Sequence, residues 1–161
     1  MRASARVLEE YGIPLASNQV HYSLLHRRIE VNGVLDAAKE LGTTIIAYSP
    51  LAQGILTARF HRDPERVKDV HGPRRFQSLF RPKGLARSAS VVDAVESIAA
   101  EREVTPAQVA LRWLLDAHGD IVMAIPGASN ADQARDNAAV LDFELSEAEV
   151  ETLDRVSRGF R

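Results

Sequence analysis

Apolar positions along this chain follow two periods, helical and strand-like, that alternate from end to end. Arg2–Tyr11 keeps helical spacing and stops at Gly12, ahead of Ile13-Pro14. Ala16–Val20 is a short strand candidate. Val31, Val34, Leu35, Ala38 and Leu41 recur at helical spacing, and Gly42 is placed to close that helix in the left-handed conformation. Thr43–Tyr48 (TTIIAY) is β-branched and apolar throughout, the pattern of a strand buried on both faces. Ser88–Glu101 is helical, with Val91, Val92, Val95, Ile98 and Ala99 inward. Thr105-Pro106-Ala107-Gln108 combines a capping box with proline at the first helical position, and opens a helix whose Val109, Ala110, Trp113 and Leu114 face the core. Asp120–Ile125 predicts the last strand. Ser146–Glu149 is a second capping box, opening a terminal helix through Val150, Leu153 and Val156.

Strands separated by helices imply an α/β fold with parallel pairing and right-handed crossovers. Only three good strands emerge, a thin layer, whereas a closed barrel of this type needs eight strands and about 250 residues. The pattern therefore points to part of a larger architecture. No internal repeat is evident. At 161 residues the chain is long enough for one domain with a real core, and 45% hydrophobic with 26% charged residues is ordinary for a soluble globular protein. Cysteine is absent, which excludes disulfides, thiol catalysis and thiolate metal sites. No apolar run approaches the roughly 20 residues that span a bilayer, and no signal peptide is visible, so the expectation is a cytoplasmic protein without a membrane partner.

Charge is uneven. Arg59–Arg87 carries nine Lys/Arg against three Asp/Glu, a local +6 within a net charge of −2. With three prolines, three glycines and no clear period, residues 53–87 read as a long basic loop, either functional or simply solvated. A nucleic-acid partner is not expected, because no Gly-aromatic strand motif or basic recognition helix accompanies the charge. A small polyanionic ligand fits better.

One segment stands out, Ile121–Asn137 (IVMAIPGASNADQARDN). An apolar run ends at Pro126-Gly127 and a helix starts at Ser129-Asn130, so Gln133, Asp136 and Asn137 share one helix face. A helix start offers backbone N–H groups and positive partial charge to an anion, and the amide and carboxylate beside it could read the edge of a purine. The alternative is a capped strand-to-helix turn with a solvated polar face.

SNQVHYSLLHR (Ser17–Arg27), GTTIIAYSPLAQGILT (Gly42–Thr57), TPAQVALRWLL (Thr105–Leu115) and IPGASNADQARDN (Ile125–Asn137) together resemble the aldo-keto reductase family, in family order, and GPRR (Gly72–Arg75) resembles its bacterial and plastid branch. The resemblance implies the C-terminal half of a (β/α)8 TIM barrel over residues 1–161, corresponding to strands six to eight and their helices. It implies NADPH-dependent reduction of a small carbonyl substrate, with NADH left open, in the intact family. Residue by residue, it implies that Gln19 holds the nicotinamide carboxamide and that Tyr48 stacks under the nicotinamide. Ser49, Leu51 and Gln53 would lie in the loop that wraps the pyrophosphate, and Ser129, Gln133, Asp136 and Asn137 at the adenosine end.

Two departures matter. Arg59 stands after Leu56-Thr57-Ala58 where many relatives have Gly-Lys-Tyr; it keeps the charge but presents a fork instead of a point. Gly127 replaces a lysine that other branches use on the 2′-phosphate, leaving that contact to Ser129, Gln133 and Arg74 or Arg75. The family's catalytic Tyr, Lys, Asp and His belong to the first half of the barrel, so no catalytic residue is expected within these 161 residues. His21, Tyr22 and His26 follow Gln19, do not match the tetrad, and read as structural or substrate-rim groups. His61, His71 and His118 lack metal-ligand spacing, so no metal is expected. Two functions follow: an oxidoreductase fragment, either a truncated gene product or a half that needs a partner chain for hydride transfer, or a non-catalytic nucleotide-binding or interaction module. In either case exposed strand edges predict self-association or pairing with a complementing half-barrel.

Overall fold

The computed structural model describes residues 1–72 and 76–161. Three strands, β1 (Ser17–His21), β2 (Thr44–Tyr48) and β3 (Val122–Ala124), form one parallel sheet in the order β1-β2-β3. The helices are α1 (Arg2–Glu9), α2 (Val34–Leu41), α3 (Arg59–Arg62), α4 (Pro82–Glu101), α5 (Pro106–Asp116), α6 (Ala131–Ala138) and α7 (Glu147–Ser157). No helix among the described residues is long and apolar enough to cross a membrane.

Helix starts and stops follow local chemistry. Thr105 and Ser146 each close a reciprocal capping box, with Gln108 and Glu149 respectively. Gly42 ends α2 at φ 62°, where any other residue would be strained. α2 starts later than the apolar spacing predicts. Gly33 adopts φ 80° and Asn32 Oδ1 accepts from the Val34 N–H, so the helix begins at Val34 and Val31 is left outside it, 64% exposed.

The basic stretch 53–87 is not a continuous loop. It contains α3, and α4 begins at Pro82, six residues before the apolar period becomes visible at Ser88. Its first turn (Pro82-Lys83-Gly84-Leu85) carries only one large apolar residue, so periodicity could not reveal it. Gly84 is required there. A Cβ at this position would lie 2.0 Å from the Ser78 carbonyl oxygen, because the turn Ser78–Phe80 packs directly on the start of α4.

The sheet has two unlike faces. Ile45, Ala47 and Val122 are buried beneath a core in which α4, α5 and α7 pack together around Trp113, Val92 and Leu153. Register places Gln19 beside Ile46, His21 beside Tyr48, and Ile46 beside Met123, all on the opposite face. There Tyr48 is 41% and Met123 55% exposed. The expectation that TTIIAY is buried on both faces is therefore corrected: one face is covered and the other is open among the described residues.

Beyond β1 the chain is held by a buried polar cluster. The fully buried Arg27 makes a bidentate pair with Glu30, Nε to Oε1 at 2.7 Å and Nη2 to Oε2 at 2.8 Å. Its Nη1 donates to Ser157 Oγ at 2.5 Å and to the Asp154 carbonyl at 3.1 Å, and Nη2 lies 2.8 Å from Asp154 Oδ1. The guanidinium lies 4.7 Å from the centroid of the Trp113 ring, whose Nε1 donates to the same Asp154 carboxylate. Tyr22 donates to Glu30 Oε1 at 2.7 Å, and since a hydroxyl carries one proton, His118 Nε2 at 2.5 Å is the donor to the phenol oxygen. Burial alone would raise the Glu30 pKa, but the His118 ring, whose Nε2 lies 3.9 Å from Oε1, the hydrogen bonds from Arg27 and Tyr22 and the Arg27 charge hold it far below the usual carboxylate range. Burial first, then Glu30, pushes the Tyr22 phenol upward.

Removing one partner of this cluster strands a buried charge. Glu30→Gln is expected to destabilise the fold by about 3 kcal/mol in chemical denaturation. Because the folded pKa of Glu30 lies below the unfolded value of about 4.3, its contribution is complete above that pH and is lost as pH falls through the folded value. Wild-type stability should thus decline more steeply than that of Glu30→Gln below about pH 5; parallel profiles would contradict the assignment. Gly84→Ala, which forces a methyl into the Ser78 carbonyl, should lower stability by about 1–3 kcal/mol in thermal melts, whereas Gly127→Ala, with nothing within 4 Å, should not.

Candidate functional site

The loop leaving β2 is built from residues that few sequences tolerate. Ser49, Ala52, Gln53 and Ala58 all adopt positive φ (52°, 47°, 60° and 64°), as does Gly54 at 95°. Each such non-glycine residue costs about 1 kcal/mol, so the rest of the structure must hold the loop in place. Ala52, Ile55 and Leu56 do so by inserting fully into the core, and Thr57 Oγ1 donates to the Gly54 carbonyl at 2.8 Å. Turn hydrogen bonds brace the loop from within: the Ala52 N–H donates to the Ser49 carbonyl and the Gly54 N–H to the Leu51 carbonyl, both at 2.9 Å. Gly54 also yields space: a Cβ there would meet Arg59 Nη2 at 3.0 Å, so the guanidinium is laid against the loop.

The turn from β3 into α6 supplies the opposite wall. Asn130 caps α6 by accepting from the Gln133 N–H at 2.9 Å, while Gln133 Oε1 accepts from the Ser129 N–H at 2.7 Å. Two of the donors at this helix start are thereby satisfied within the protein. Asn137 Nδ2 reaches back to the Gly127 carbonyl at a long 3.5 Å. Gln108 Nε2, on α5, donates to the Asp136 carbonyl at 3.1 Å and fixes α6 against α5.

Between the two walls runs a cleft of about 720 Å³. Ser49, Leu51, Gln53, Arg59, Gly127, Ser129, Gln133, Asp136 and Asn137 all line it, nine of the eleven residues singled out from the sequence. Thr105, Pro106 and Ala107 at the start of α5 line it as well. In the sequence these three stand out as a helix cap and as the start of the Thr105–Leu115 motif, neither of which marks them as lining a cleft. Arg59 and Asp136 are the ionisable groups among the lining residues, and the rest are hydroxyls, amides, backbone and small apolar surface. Such a set offers a ligand hydrogen-bonding groups, one cation and one carboxylate.

Gln19 and Tyr48 do not line this cleft. They lie on the open face of the sheet, Gln19 exposed on the edge strand β1 and Tyr48 at the end of β2. The Tyr48 ring stacks on His21, centroids 5.0 Å apart and 14° from parallel, and His21 stacks on His26 at 3.9 Å and 15°. Burial, then repulsion from His26, lowers the His21 pKa; burial, then Arg28, lowers that of His26. Arg74 and Arg75 lie outside the described residues.

Comparison with known proteins places these features. The Aldo/keto reductase family model matches residues 2–158. An uncharacterized oxidoreductase of Mycobacterium tuberculosis (strain ATCC 25618 / H37Rv) is 37% identical over 150 residues, covering 93% of this chain and 44% of that protein. The glycerol dehydrogenase structure from Gluconobacter oxydans superposes with TM-score 0.77 at 26% identity, over 94% of this chain and 45% of its own. The structure of aldo/keto reductase from Klebsiella pneumoniae in complex with NADP and acetate gives TM-score 0.63 at 30% identity, over 88% of this chain and 39% of its own. The chain thus spans less than half the length of these relatives. With the family model matched almost from end to end, the chain belongs to the aldo/keto reductase family.

Proposed function

We propose that this chain is the cofactor-holding part of an NADP-dependent carbonyl reductase, binding NADPH in the cleft between the β2 loop and α6. The observation that carries the reading is convergence. Residues far apart in sequence, each matched to a cofactor role only by resemblance, meet around one cleft of a size that suits a ligand. The relative from Klebsiella pneumoniae, matched over most of this chain, holds NADP.

In this reading β1, β2 and β3 are the sixth, seventh and eighth strands of a (β/α)8 barrel, and residues 1–161 are its C-terminal half. The pyrophosphate lies against the left-handed loop at Ser49–Gln53, with Arg59 supplying positive charge beside it. Ser129 and Gln133 serve the phosphate of the adenosine ribose, and Asp136 and Asn137 the adenine edge. Gly127, with open space around its α-carbon, leaves room for the ligand. The nicotinamide lies over Tyr48, with Gln19 on its carboxamide. The bound cofactor supplies hydride; these residues hold and orient it, and the proton donor comes from elsewhere.

A second reading has its own observation. The face bearing Ile46, Tyr48 and Met123 is apolar and open among the described residues, and the chain spans less than half of its relatives. A complementing half-barrel, supplied by another chain, would cover it. In that case the chain is a nucleotide-binding module that becomes catalytic only as part of a pair.

Calorimetric titration should show saturable NADPH binding, weakened about tenfold by Asn137→Ala with the fold retained. Absence of heat at millimolar NADPH would remove the cofactor reading. The purified chain by itself should associate into dimers or larger species through the open sheet face; a monodisperse monomer in light scattering, with well-dispersed amide resonances, would count against the second reading.

A further inference from the structure

A second cavity, of about 520 Å³, is walled by His21, Ser23 and His26 from the segment ending β1 and by Arg81, Lys83 and Arg87 from the start of α4. We propose that it binds the phosphate group of a small organic phosphate. No carboxylate is among the described residues lining it. This is unusual for the chain, in which Arg27, Arg62, Arg66, Arg102, Arg112 and Arg135 each sit against an acidic side chain. Arg87 is positioned without an acid, its Nη2 donating to the Gly159 carbonyl at 2.8 Å and its guanidinium 4.6 Å from the Phe160 ring centroid. The side chains of Arg81 and Lys83 are exposed and engage no partner among the described residues.

Three fixed positive charges thus share one wall with no internal counter-ion. The same wall carries the start of the 20-residue helix α4, whose N-cap residue Arg81 gives no side-chain cap, so the positive end of the helix adds to the field. Across the cavity His21 and His26 stand ring on ring. Burial, then His26 for His21 and Arg28 for His26, lowers both pKa values, and each imidazole has a ring N–H to donate to an acceptor oxygen. A dianion with several acceptor oxygens matches this set better than a singly charged carboxylate, because each additional negative charge is met by a cation already in place. The cavity volume lies within the range of small-ligand sites.

The cavity also has an address. His21 lies between His26 and Tyr48 in one row of parallel rings. If Tyr48 carries the nicotinamide, a phosphate anchored at Arg81 and Lys83 has its organic part on the side of the cavity that His21 links to the reacting face. That step rests on the cofactor reading above, while the phosphate site itself does not.

The test is an NMR titration of the labelled chain with inorganic phosphate, against chloride at matched ionic strength. Saturable shifts centred on His21, His26 and the first turn of α4 are expected, weakened about tenfold in the Arg81→Ala/Lys83→Ala double variant. Both side chains are exposed, so the double variant should keep its amide dispersion and its NADPH affinity, and Asn137→Ala should keep its phosphate affinity. Phosphate behaving like chloride, equal affinity in the double variant, acetate binding as tightly as phosphate, or shifts confined to α6 and the β2 loop would each overturn the proposal. Loss of NADPH binding in the wild-type chain with the phosphate response intact would remove the cofactor reading and leave the phosphate site standing.

Discussion

Burying the Arg27 guanidinium is the constraint around which this structure is arranged. A cation removed from water needs every donor satisfied, and the chain meets that need with groups 3 to 130 residues away: Glu30, Asp154 and Ser157. The Arg27 backbone N–H also donates to the Phe160 carbonyl at 2.8 Å, so the segment after β1 is fastened to the end of the chain. Satisfying one side chain therefore fixes the position of α7 and of the final turn. It also holds Tyr22 against Trp113 (centroids 5.7 Å apart) and sets where the rings of His21 and His26 stand. The Arg161 guanidinium, 2.9 Å from Glu30 Oε2, closes the cluster from the solvent side.

With that end held, the remaining architecture follows from packing. α4, α5 and α7 pack together over the sheet face on which Ile45, Ala47 and Val122 are buried, and the β2 loop is clamped by Ala52, Ile55 and Leu56. The clamp is what allows several non-glycine residues to remain in the left-handed region. A loop held so firmly is pre-shaped before any ligand arrives, which lowers the ordering cost of binding. The α6 wall is built differently: its side chains are mostly exposed, and its position comes from the Gln108 amide and from its own cap. One wall of the cleft is thus rigid through burial and the other through a few hydrogen bonds.

Features governed by neighbours in sequence were legible in advance. The capping boxes at Thr105 and Ser146, the close of α2 at Gly42 and the parallel order of strands all follow from local residues. The family assignment was legible from four motifs in order. Features that depend on distant partners were not. Nothing in Arg27-Arg28-Ile29-Glu30 announces that Asp154 and Ser157 complete its pairing, since those groups lie more than a hundred residues away. The start of α4 was hidden for the opposite reason: its first turn faces a cavity and a carbonyl in place of the core, so it lacks the apolar period that reveals helices. TTIIAY looked doubly buried because β-branched residues suit a sheet whichever way they face, and composition does not say how many layers will cover it.

The end of β2 is where these threads meet. Tyr48 continues the strand, its carbonyl accepting from the Tyr22 N–H at 3.5 Å and its ring joining the row with His21 and His26. The next residue, Ser49, turns to φ 52° and is the first to line the cleft. One peptide bond therefore divides the chain between two environments, a row of rings leading to a cation-walled cavity and a left-handed loop facing α6. The Tyr48 ring stacks on His21, which lines the second cavity. The two cavities adjoin at the end of one strand, whose opposite face is locked in the core by Ile45 and Ala47.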